Sequence, residues 1–185
     1  MPVTQITLLP GYPREVRERL VNRISDTVRS VIDSAEAGTT TFVQEVSTYR
    51  RDGRVFAGGG AAHPVASEVV ASFLQAMQDR DLPRAQGHLA PGFLMCFPGG
   101  KRFTALEELV AWGRSRYQRV EKVFERFDEC WTAEGTIVYC HGTLQGQWPD
   151  GSAFEGIRFI DRFLVQAGQL VRQDVWNDLA EHQNA

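Results

Sequence analysis

Long apolar segments are absent from this 185-residue sequence. No run approaches the roughly 20 residues that a helix needs to cross a bilayer, and the polar start of the chain offers no apolar core for a signal peptide. Cysteine is also scarce, and its three residues, Cys96, Cys130 and Cys140, lack the spacing of a metal site. We therefore predict reduced, mostly buried thiols in a cytoplasmic protein that neither enters a membrane nor binds a metal.

An excess of positive charge is missing as well. The net charge is −3, so the composition gives no reason to expect nucleic acid as a partner. The charge is uneven, because residues 1–62 carry eight arginines, no lysine and seven acids, which leaves a balance of −4 for the rest. The first part is therefore expected to prefer small anions. No phosphate-binding loop, metal cluster or flavin signature occurs, and no cofactor is predicted.

The N-terminal residues show the pattern of a small β-α-β unit. Residues 1–9 predict a strand, and the turn at Gly11-Tyr12-Pro13 leads into a helix, where proline suits the first position. A β-branched strand over residues 39–47 and a hairpin that turns at Asp52-Gly53 follow. Two strands make too small a sheet to stand alone, so we predict that this segment is stable only in a homo-oligomer. The helix is indicated by apolar residues at every fourth position, namely Val16, Leu20, Ile24, Val28 and Ile32.

Pro2 stands at the start of this segment and could act as a catalyst once the initiator methionine is removed. Its ring nitrogen would then be a free secondary amine. An α-amino group has a pKa of about 8 in water, and an apolar pocket or nearby arginines would lower that pKa. A neutral amine can move a proton next to a carbonyl, while guanidinium groups hold a carboxylate and stabilise the enolate. The alternative is that Pro2 only begins an edge strand.

The segment from residue 2 to residue 60 resembles the 4-oxalocrotonate tautomerase superfamily. The features that carry the resemblance are the initial Pro-Val-Thr-Gln-Ile, the Gly11 turn, a helix of matching length, the strand end Gln44-Glu45-Val46 and the hairpin Val55-Phe56-Ala57-Gly58-Gly59. The resemblance implies that the N-terminal proline is the general base, that arginines bind the substrate carboxylate and that a hairpin phenylalanine lines the pocket. It also implies assembly as a hexamer, a trimer of dimers.

Pro2 and Phe56 match two of the superfamily's site positions in the sequence. Tyr12 and the threonines at 39–41 occupy the places where its arginines are expected, and other arginines lie close enough along the chain to replace them. The predicted site therefore has Pro2, Arg14 and Arg54 as catalytic residues and Tyr12, Arg51 and Phe56 as substrate-binding residues.

Small residues at positions 57–64 indicate a domain boundary. We predict one domain over residues 1–60, a linker over residues 61–64 and a second domain over residues 65–185. In the second domain three helical patterns precede four strand patterns. The third helix is predicted to have Thr104 as its N-cap and Glu107, three residues later, as the capping partner. Helices followed by an antiparallel meander predict an α+β fold with the sheet curled over the helices. The predicted strands cover residues 122–131, 136–148, 154–165 and 170–178.

Residues 63–178 resemble the SnoaL-like branch of the nuclear transport factor two-like superfamily. The resemblance implies a conical barrel around an apolar pocket, in a group that includes polyketide cyclases, ketosteroid isomerases, dehydratases and non-catalytic domains. The cyclases place an acid directly before a tryptophan of the last strand. Here Val175 precedes Trp176, and Asp174 comes one residue earlier, on the opposite face. The motifs that carry the resemblance are Phe154-Glu155-Gly156, Asp161-Arg162-Phe163, Gly168-Gln169-Leu170 and Val175-Trp176-Asn177-Asp178.

Several polar residues of the predicted strands could serve a second pocket. Any of them that is buried in an apolar cone could act as a general acid or base. The alternatives are structural, because a strand histidine is more often hydrogen-bonded than catalytic and Asp161 could form a surface pair with Arg162. The four tryptophans are expected mainly in the core. The candidates for this second pocket are Tyr139, His141, Asp161, Asp174 and Trp176.

Three functions fit these patterns, and each has a small molecule as the partner. The first is a tautomerase or isomerase that uses the Pro2 amine as general base on an enolisable, carboxylate-bearing carbonyl compound. The second is a SnoaL-like polyketide cyclase, isomerase or dehydratase whose N-terminal segment mainly oligomerises it. The third is a small-molecule binding protein without chemistry.

Overall fold

Helices and strands occur together in both parts of the chain, which confirms the predicted α+β class. The computed structural model describes residues 1–57 and 62–183. The chain divides into a first unit, Met1–Ala62, and a second unit, His63–Ala185. Residues 58–61, which include the start of the predicted linker, lie outside the described residues. No helix within the described ranges has the length and apolarity that a membrane crossing requires.

The first unit follows the predicted order of strand, helix, strand and hairpin. Its elements are β1 (Val3–Leu8), α1 (Arg14–Val31), β2 (Thr40–Glu45), β3 (Thr48–Arg51) and β4 (Arg54–Ala57). Strands β1 and β2 pair in parallel, with Val3 opposite Thr40. Strands β3 and β4 form a separate antiparallel hairpin. The element order is thus confirmed, and the tautomerase resemblance stays a prediction.

None of the described residues of the first unit is fully buried. Burial alternates along β1, where Ile6 and Leu8 are half-buried and Val3 is 64% exposed. On β2, Phe42 is 55% exposed. Helix α1 contains no buried residue, although its apolar stripe is as predicted. One face of a parallel pair of strands is therefore open to solvent, whereas parallel strands are usually covered on both faces.

The second unit is built around a six-stranded sheet. Its strands are β5 (Leu89–Phe97), β6 (Lys101–Phe103), β7 (Arg119–Trp131), β8 (Thr136–Gln147), β9 (Ala153–Gln166) and β10 (Gln169–Asn177). The strand order is β6-β5-β10-β9-β8-β7, so the last four strands form the predicted antiparallel meander. Strand β5 adds to the far side of β10 in parallel. The helices are α2 (Ala66–Gln78), α3 (Leu82–Gln86), α4 (Leu106–Gly113) and α5 (Leu179–Gln183).

The core lies between these helices and one face of the sheet, called here the inner face. Phe73 of α2 and Phe163 of β9 are buried with their ring centres 5.9 Å apart in an edge-to-face arrangement. Helix α4 begins later than predicted, because Ala105 is extended and caps the helix without a side-chain hydrogen bond. The predicted capping pair of Thr104 and Glu107 is therefore wrong.

Two expectations about burial are also wrong. Trp131 is 44% exposed and Trp176 is 52% exposed, so these two tryptophans do not fill the core. Trp176 pairs in register with the exposed Ile160, which places both on the outer face of the sheet. Among the cysteines only Cys140 is buried, and Cys130 is exposed.

Candidate functional site

A cavity of about 130 Å³ opens between α2, α4 and the inner face of the sheet. This volume accommodates roughly one aromatic ring, because an engineered protein cavity of about 150 Å³ binds benzene. Apolar side chains from both helices form most of its wall, and none of its lining residues is an aspartate or glutamate. The polar residues that line it are Gln78, Arg80, Tyr117, Lys122 and Gln173.

Lys122 lines the cavity and also contacts a buried residue of the sheet. Its ammonium group forms an ion pair with Asp161, whose side chain is completely buried, and it lies 4.5 Å from the centre of the Phe159 ring. Lys122 is on β7 and Asp161 is on β9, so the pair crosses β8. On β8, Leu144 lies opposite Lys122 and Cys140 lies opposite Asp161. The inner-face residue between these two is Gly142, which has no side chain and so leaves the lysine room to cross.

Gly142 is required at this point for a second reason. It pairs with Phe124 just before an irregularity in β7 that places the extra residue Glu125 in the strand. A Cβ atom at position 142 would overlap the backbone carbonyl oxygen of Val123. The bulge in β7 and the glycine in β8 are therefore matched to each other.

The two oxygens of the Asp161 carboxylate have different surroundings. Oδ2 accepts a hydrogen bond from the Lys122 ammonium group. It also accepts a hydrogen bond of 3.0 Å from Nε2 of Gln173, a second cavity-lining residue. Oδ1 has no hydrogen-bond partner among the described residues. A buried polar atom without a partner costs about 1–3 kcal/mol and is rare in folded proteins. The arrangement thus leaves one oxygen of a buried carboxylate unpaired behind two side chains of the cavity wall.

Two further titratable groups near the cavity keep their protons at neutral pH. Burial, reinforced by the negative charge of Asp161, raises the pKa of the Cys140 thiol to about 12. The thiol is therefore not a nucleophile, which requires the thiolate. Burial also raises the pKa of Tyr117, although the charges of Arg80 and Arg116 oppose this shift. The Tyr117 hydroxyl is accordingly a hydrogen-bond donor.

Among the second-pocket candidates, only Asp161 contacts cavity-lining residues. Tyr139 and His141 alternate along β8 with the buried Val138 and Cys140, and therefore lie on the outer face. Nδ1 of His141 lies 3.5 Å from Oε2 of Glu125. Trp176 lies on the same outer face. The shared face of Tyr139 and His141 follows from strand alternation, but it is not the face that meets the cavity.

Asp174 forms a separate site with two arginines on the outer face. Oδ1 accepts a hydrogen bond of 2.8 Å from Nε of Arg172, and Oδ2 accepts one of 3.1 Å from Nη1 of Arg162. Burial alone would raise the pKa of Asp174, but these hydrogen bonds and charges outweigh it and lower the pKa. Asp161 and Asp174 thus lie on adjacent strands and face opposite sides of the sheet.

The candidates of the first unit are spread along it. Pro2 is half-buried directly before β1, and its carbonyl oxygen accepts a hydrogen bond of 3.1 Å from the Thr40 N–H. Arg14 pairs with Glu18 at 2.6 Å, and Arg51 pairs with Asp52 at 3.6 Å.

The remaining three first-unit candidates are Tyr12, Arg54 and Phe56. Tyr12 is half-buried in the turn before α1, and Arg54 is exposed opposite Arg51 in the hairpin. The side chain of Phe56 lies outside the described part of the structure. Within the described residues, no hydrogen bond or ion pair joins these candidates to Pro2.

Lys122 and Gln173 were missed as site residues from the sequence. A strand lysine is normally solvated, and nothing in the sequence ranks this one above others. One signal was present, however: Lys122 lies two residues from Val120 and two from Phe124, both apolar, and so shares their face of the strand. Within the described residues, no three His, Cys, Asp or Glu side chains are placed to share a metal ion.

Comparisons with known proteins identify the fold of the second unit. No protein-family model matches the sequence, and no curated protein matches it significantly. A nuclear transport factor two-like protein of unknown function from Burkholderia pseudomallei is similar in structure, with 20% identity, a TM-score of 0.55 and coverage of 64% of this chain and 95% of that chain. TerC co-crystallised with polyporic acid matches with 16% identity, a TM-score of 0.56 and the same coverage, 64% and 95%.

A third similar structure is a protein from Xanthomonas campestris that is provisionally described as a polyketide cyclase. It has 19% identity, a TM-score of 0.51 and coverage of 63% of this chain and 93% of that chain. At these identities the likeness shows the fold. The second unit therefore has the nuclear transport factor two-like fold that the sequence predicted for it, with a curved sheet and an internal cavity.

Proposed function

We propose that the second unit is an isomerase- or cyclase-type enzyme that moves a proton on a small enolisable carbonyl compound held in the cavity. The observation that carries this proposal is the Asp161 carboxylate. It is completely buried, its Oδ2 is held by two cavity-lining residues, and its Oδ1 has no partner within the described residues. The provisional description of the Xanthomonas campestris protein as a polyketide cyclase is in keeping with this chemistry.

Asp161 and Lys122 supply the two groups that such a reaction requires. Asp161 accepts the proton from the carbon next to the substrate carbonyl on Oδ1, and the electron pair of that bond moves to the carbonyl oxygen. The Lys122 ammonium and the Gln173 amide donate hydrogen bonds to the enolate oxygen that forms. Return of the proton from Asp161 to another position of the enolate completes an isomerisation. In a cyclisation, the enolate carbon attacks a second carbonyl of the substrate, and the alkoxide that forms takes the proton back from Asp161.

The surroundings of Lys122 and Asp161 favour both the proton transfer to Asp161 and the hydrogen bond from Lys122 to the enolate oxygen. Most of the cavity wall is apolar, and electrostatic interactions are stronger in such an environment than in solvent. The ion pair keeps the ammonium in place before the substrate arrives, so little reorganisation is needed during the reaction. The protonated Cys140 thiol next to Asp161 adds no competing charge.

Deuterium exchange tests this proposal directly. The probe is phenylpyruvate, which carries one aromatic ring and an enolisable carbon, and its uptake of deuterium at that carbon is followed by NMR. We expect Asp161→Asn to lower the protein-dependent rate by about 100-fold or more, the range of a general base. Asp128→Asn is the matched control, because Asp128 pairs with Arg126 on an exposed strand. Full exchange by a folded Asp161→Asn protein would rule the proposal out.

A tautomerase reaction at Pro2 is the second candidate function. It is favoured by the position of Pro2 directly before β1 and by the parallel pairing of β1 with β2 around α1. The nitrogen is an amide without basicity as long as Met1 is attached, so this chemistry depends on removal of Met1. The same exchange assay separates the two sites: loss of the rate in Pro2→Ala with a normal rate in Asp161→Asn would assign the reaction to the first unit. If the wild-type protein does not accelerate exchange, the third function, binding without chemistry, is favoured.

A further inference from the structure

We infer that the ligand of the cavity is a small carboxylic acid and that Arg80 binds its carboxylate. This inference rests on the proposed function for the reaction, but the carboxylate contact is argued from residues that the proposed reaction does not use. Arg80 lines the cavity and its side chain is exposed, so it stands where the cavity meets solvent.

The backbone of Arg80 is the first observation. Its φ angle is +61°, which lies in the left-handed region that glycine adopts without strain. The residue follows the end of α2, where the Arg80 N–H donates to the Met77 carbonyl and the Asp81 N–H donates to the Ala76 carbonyl. Glycine is the common residue at this position of a helix end. An arginine here is strained, and strained residues concentrate at functional sites.

The charge of the cavity wall is the second observation. Arg80 and Lys122 are the charged residues that line it, and no carboxylate does. Lys122 is neutralised by Asp161 from behind the wall. Arg80 has no ion pair within the described residues. The cavity wall therefore presents one positive charge that has no ion partner in the wall, at its exposed end, and this charge favours an anionic group there.

Tyr117 supplies a neutral donor beside this charge. Its hydroxyl stays protonated, because burial raises the pKa of Tyr117 by more than the charge of Arg80 lowers it. A Cβ atom at Gly113, at the end of α4, would lie 2.9 Å from the Tyr117 hydroxyl oxygen, so the glycine leaves room for the tyrosine in the cavity wall. A guanidinium and a hydroxyl donor together match the two oxygens of a carboxylate.

The size of the cavity limits the rest of the ligand. A volume of about 130 Å³ holds roughly one ring or a short branched chain. The inner end carries Lys122 and Gln173, which donate to a carbonyl or enolate oxygen. The geometry thus points to a small keto acid, with its carboxylate at Arg80 and its reacting carbonyl at Lys122.

Binding measurements with an unreactive pair of probes test the inference independently of catalysis. The probes are 3-phenylpropanoate and 3-phenylpropanamide, which share a shape and differ in charge, titrated by NMR at low and high salt. We expect the wild-type protein to bind the acid about tenfold more tightly, as one charge-assisted contact provides. Arg80→Gln and Arg80→Gly should abolish this preference, and Arg80→Lys should keep most of it. Arg126→Gln on the outer face is the matched control and should change nothing.

Arg80→Gly separates a binding role from a structural one. Glycine relieves the strained backbone, so the variant should melt at or above the wild-type temperature while its preference for the acid disappears. Equal binding of the two probes by the wild type, or an unchanged preference in Arg80→Gln, would overturn the inference. Exchange that still depends on Asp161 would in that case leave the proposed reaction standing.

Discussion

Lys122 of β7 reaches Asp161 of β9 across an intervening strand, over a position of β8 that carries no side chain. The ion pair therefore depends on three strands that follow one another along the chain and lie side by side in the sheet. Its two members have very different access to solvent, because the lysine lines a cavity and the aspartate is completely buried. This difference makes the pair sensitive above all to the loss of the lysine, which leaves the buried carboxylate without its ion partner.

Removal of the lysine should destabilise the protein strongly. Lys122→Met leaves the Asp161 carboxylate buried without its ion partner, and breaking a buried pair on one side costs about 3–5 kcal/mol. The double change Lys122→Met with Asp161→Leu removes both charges and should recover most of this loss. Urea unfolding measures both effects, with Lys101→Met as the control at the only other lysine. A loss below about 1 kcal/mol for Lys122→Met would mean that solvent screens the pair.

Asp174 should make the stability of the protein depend on acid pH. Its folded pKa is lowered, so the stabilisation is present above the unfolded value, about 3.9, and is lost as the pH falls through the folded pKa. Asp174→Asn should reduce the free energy of unfolding at pH 7 by about 1.5–3 kcal/mol, the value of hydrogen bonds to a charged group. Urea unfolding from pH 7 down to pH 3 should show the difference between the two proteins shrinking. A difference that is constant with pH would contradict this account.

The sequence predicted the sheet of the second unit well, because alternation and turn residues are local signals. Strand β7 was predicted to end at Trp131, and it does. The predicted start of α4 was wrong. Thr104 and Glu107 match a capping pattern, but the N-cap in the structure is the next residue, Ala105, which has an extended backbone. Strand β6 was missed since three residues, Lys101–Phe103, are too few to show a period.

The candidate site was predicted only in part, since it depends on which face of each strand turns inward. Alternation placed Tyr139 and His141 together but could not say that their face is the outer one. Asp161 was identified, yet its partner Lys122 lies 39 positions away in the sequence and two strands away in the sheet. Such a pair is visible only when the strand order and register are known.

Cys140 should resist thiol reagents that modify Cys130. A thiol with a pKa of about 12 is ionised in roughly one molecule in ten thousand at pH 8, and its burial also blocks access. Labelling with iodoacetamide followed by peptide mass spectrometry should show Cys130 modified first and Cys140 modified only after unfolding in urea. Rapid labelling of Cys140 in the native protein would instead reveal an opening of the sheet.

Self-association of the first unit is a further prediction. We propose that a second copy covers its open sheet face, because Val3 and Phe42 are exposed there and no described side chain of the unit is fully buried. Light scattering after size-exclusion chromatography should show an oligomer that Phe42→Glu dissociates. Val123→Glu, at an exposed apolar residue of the second unit, is the control. A wild-type protein that is monomeric at micromolar concentration would refute the proposal.

The absence of a buried side chain in the described part of the first unit makes protein concentration a tool for assigning the reaction. A reaction at Pro2 would need neighbouring copies to enclose its substrate, so turnover per chain would fall on dilution. The second-unit cavity is enclosed by residues of a single chain, and turnover there would be the same at every dilution. A dilution series of the unmodified protein therefore distinguishes the two locations before any residue is changed.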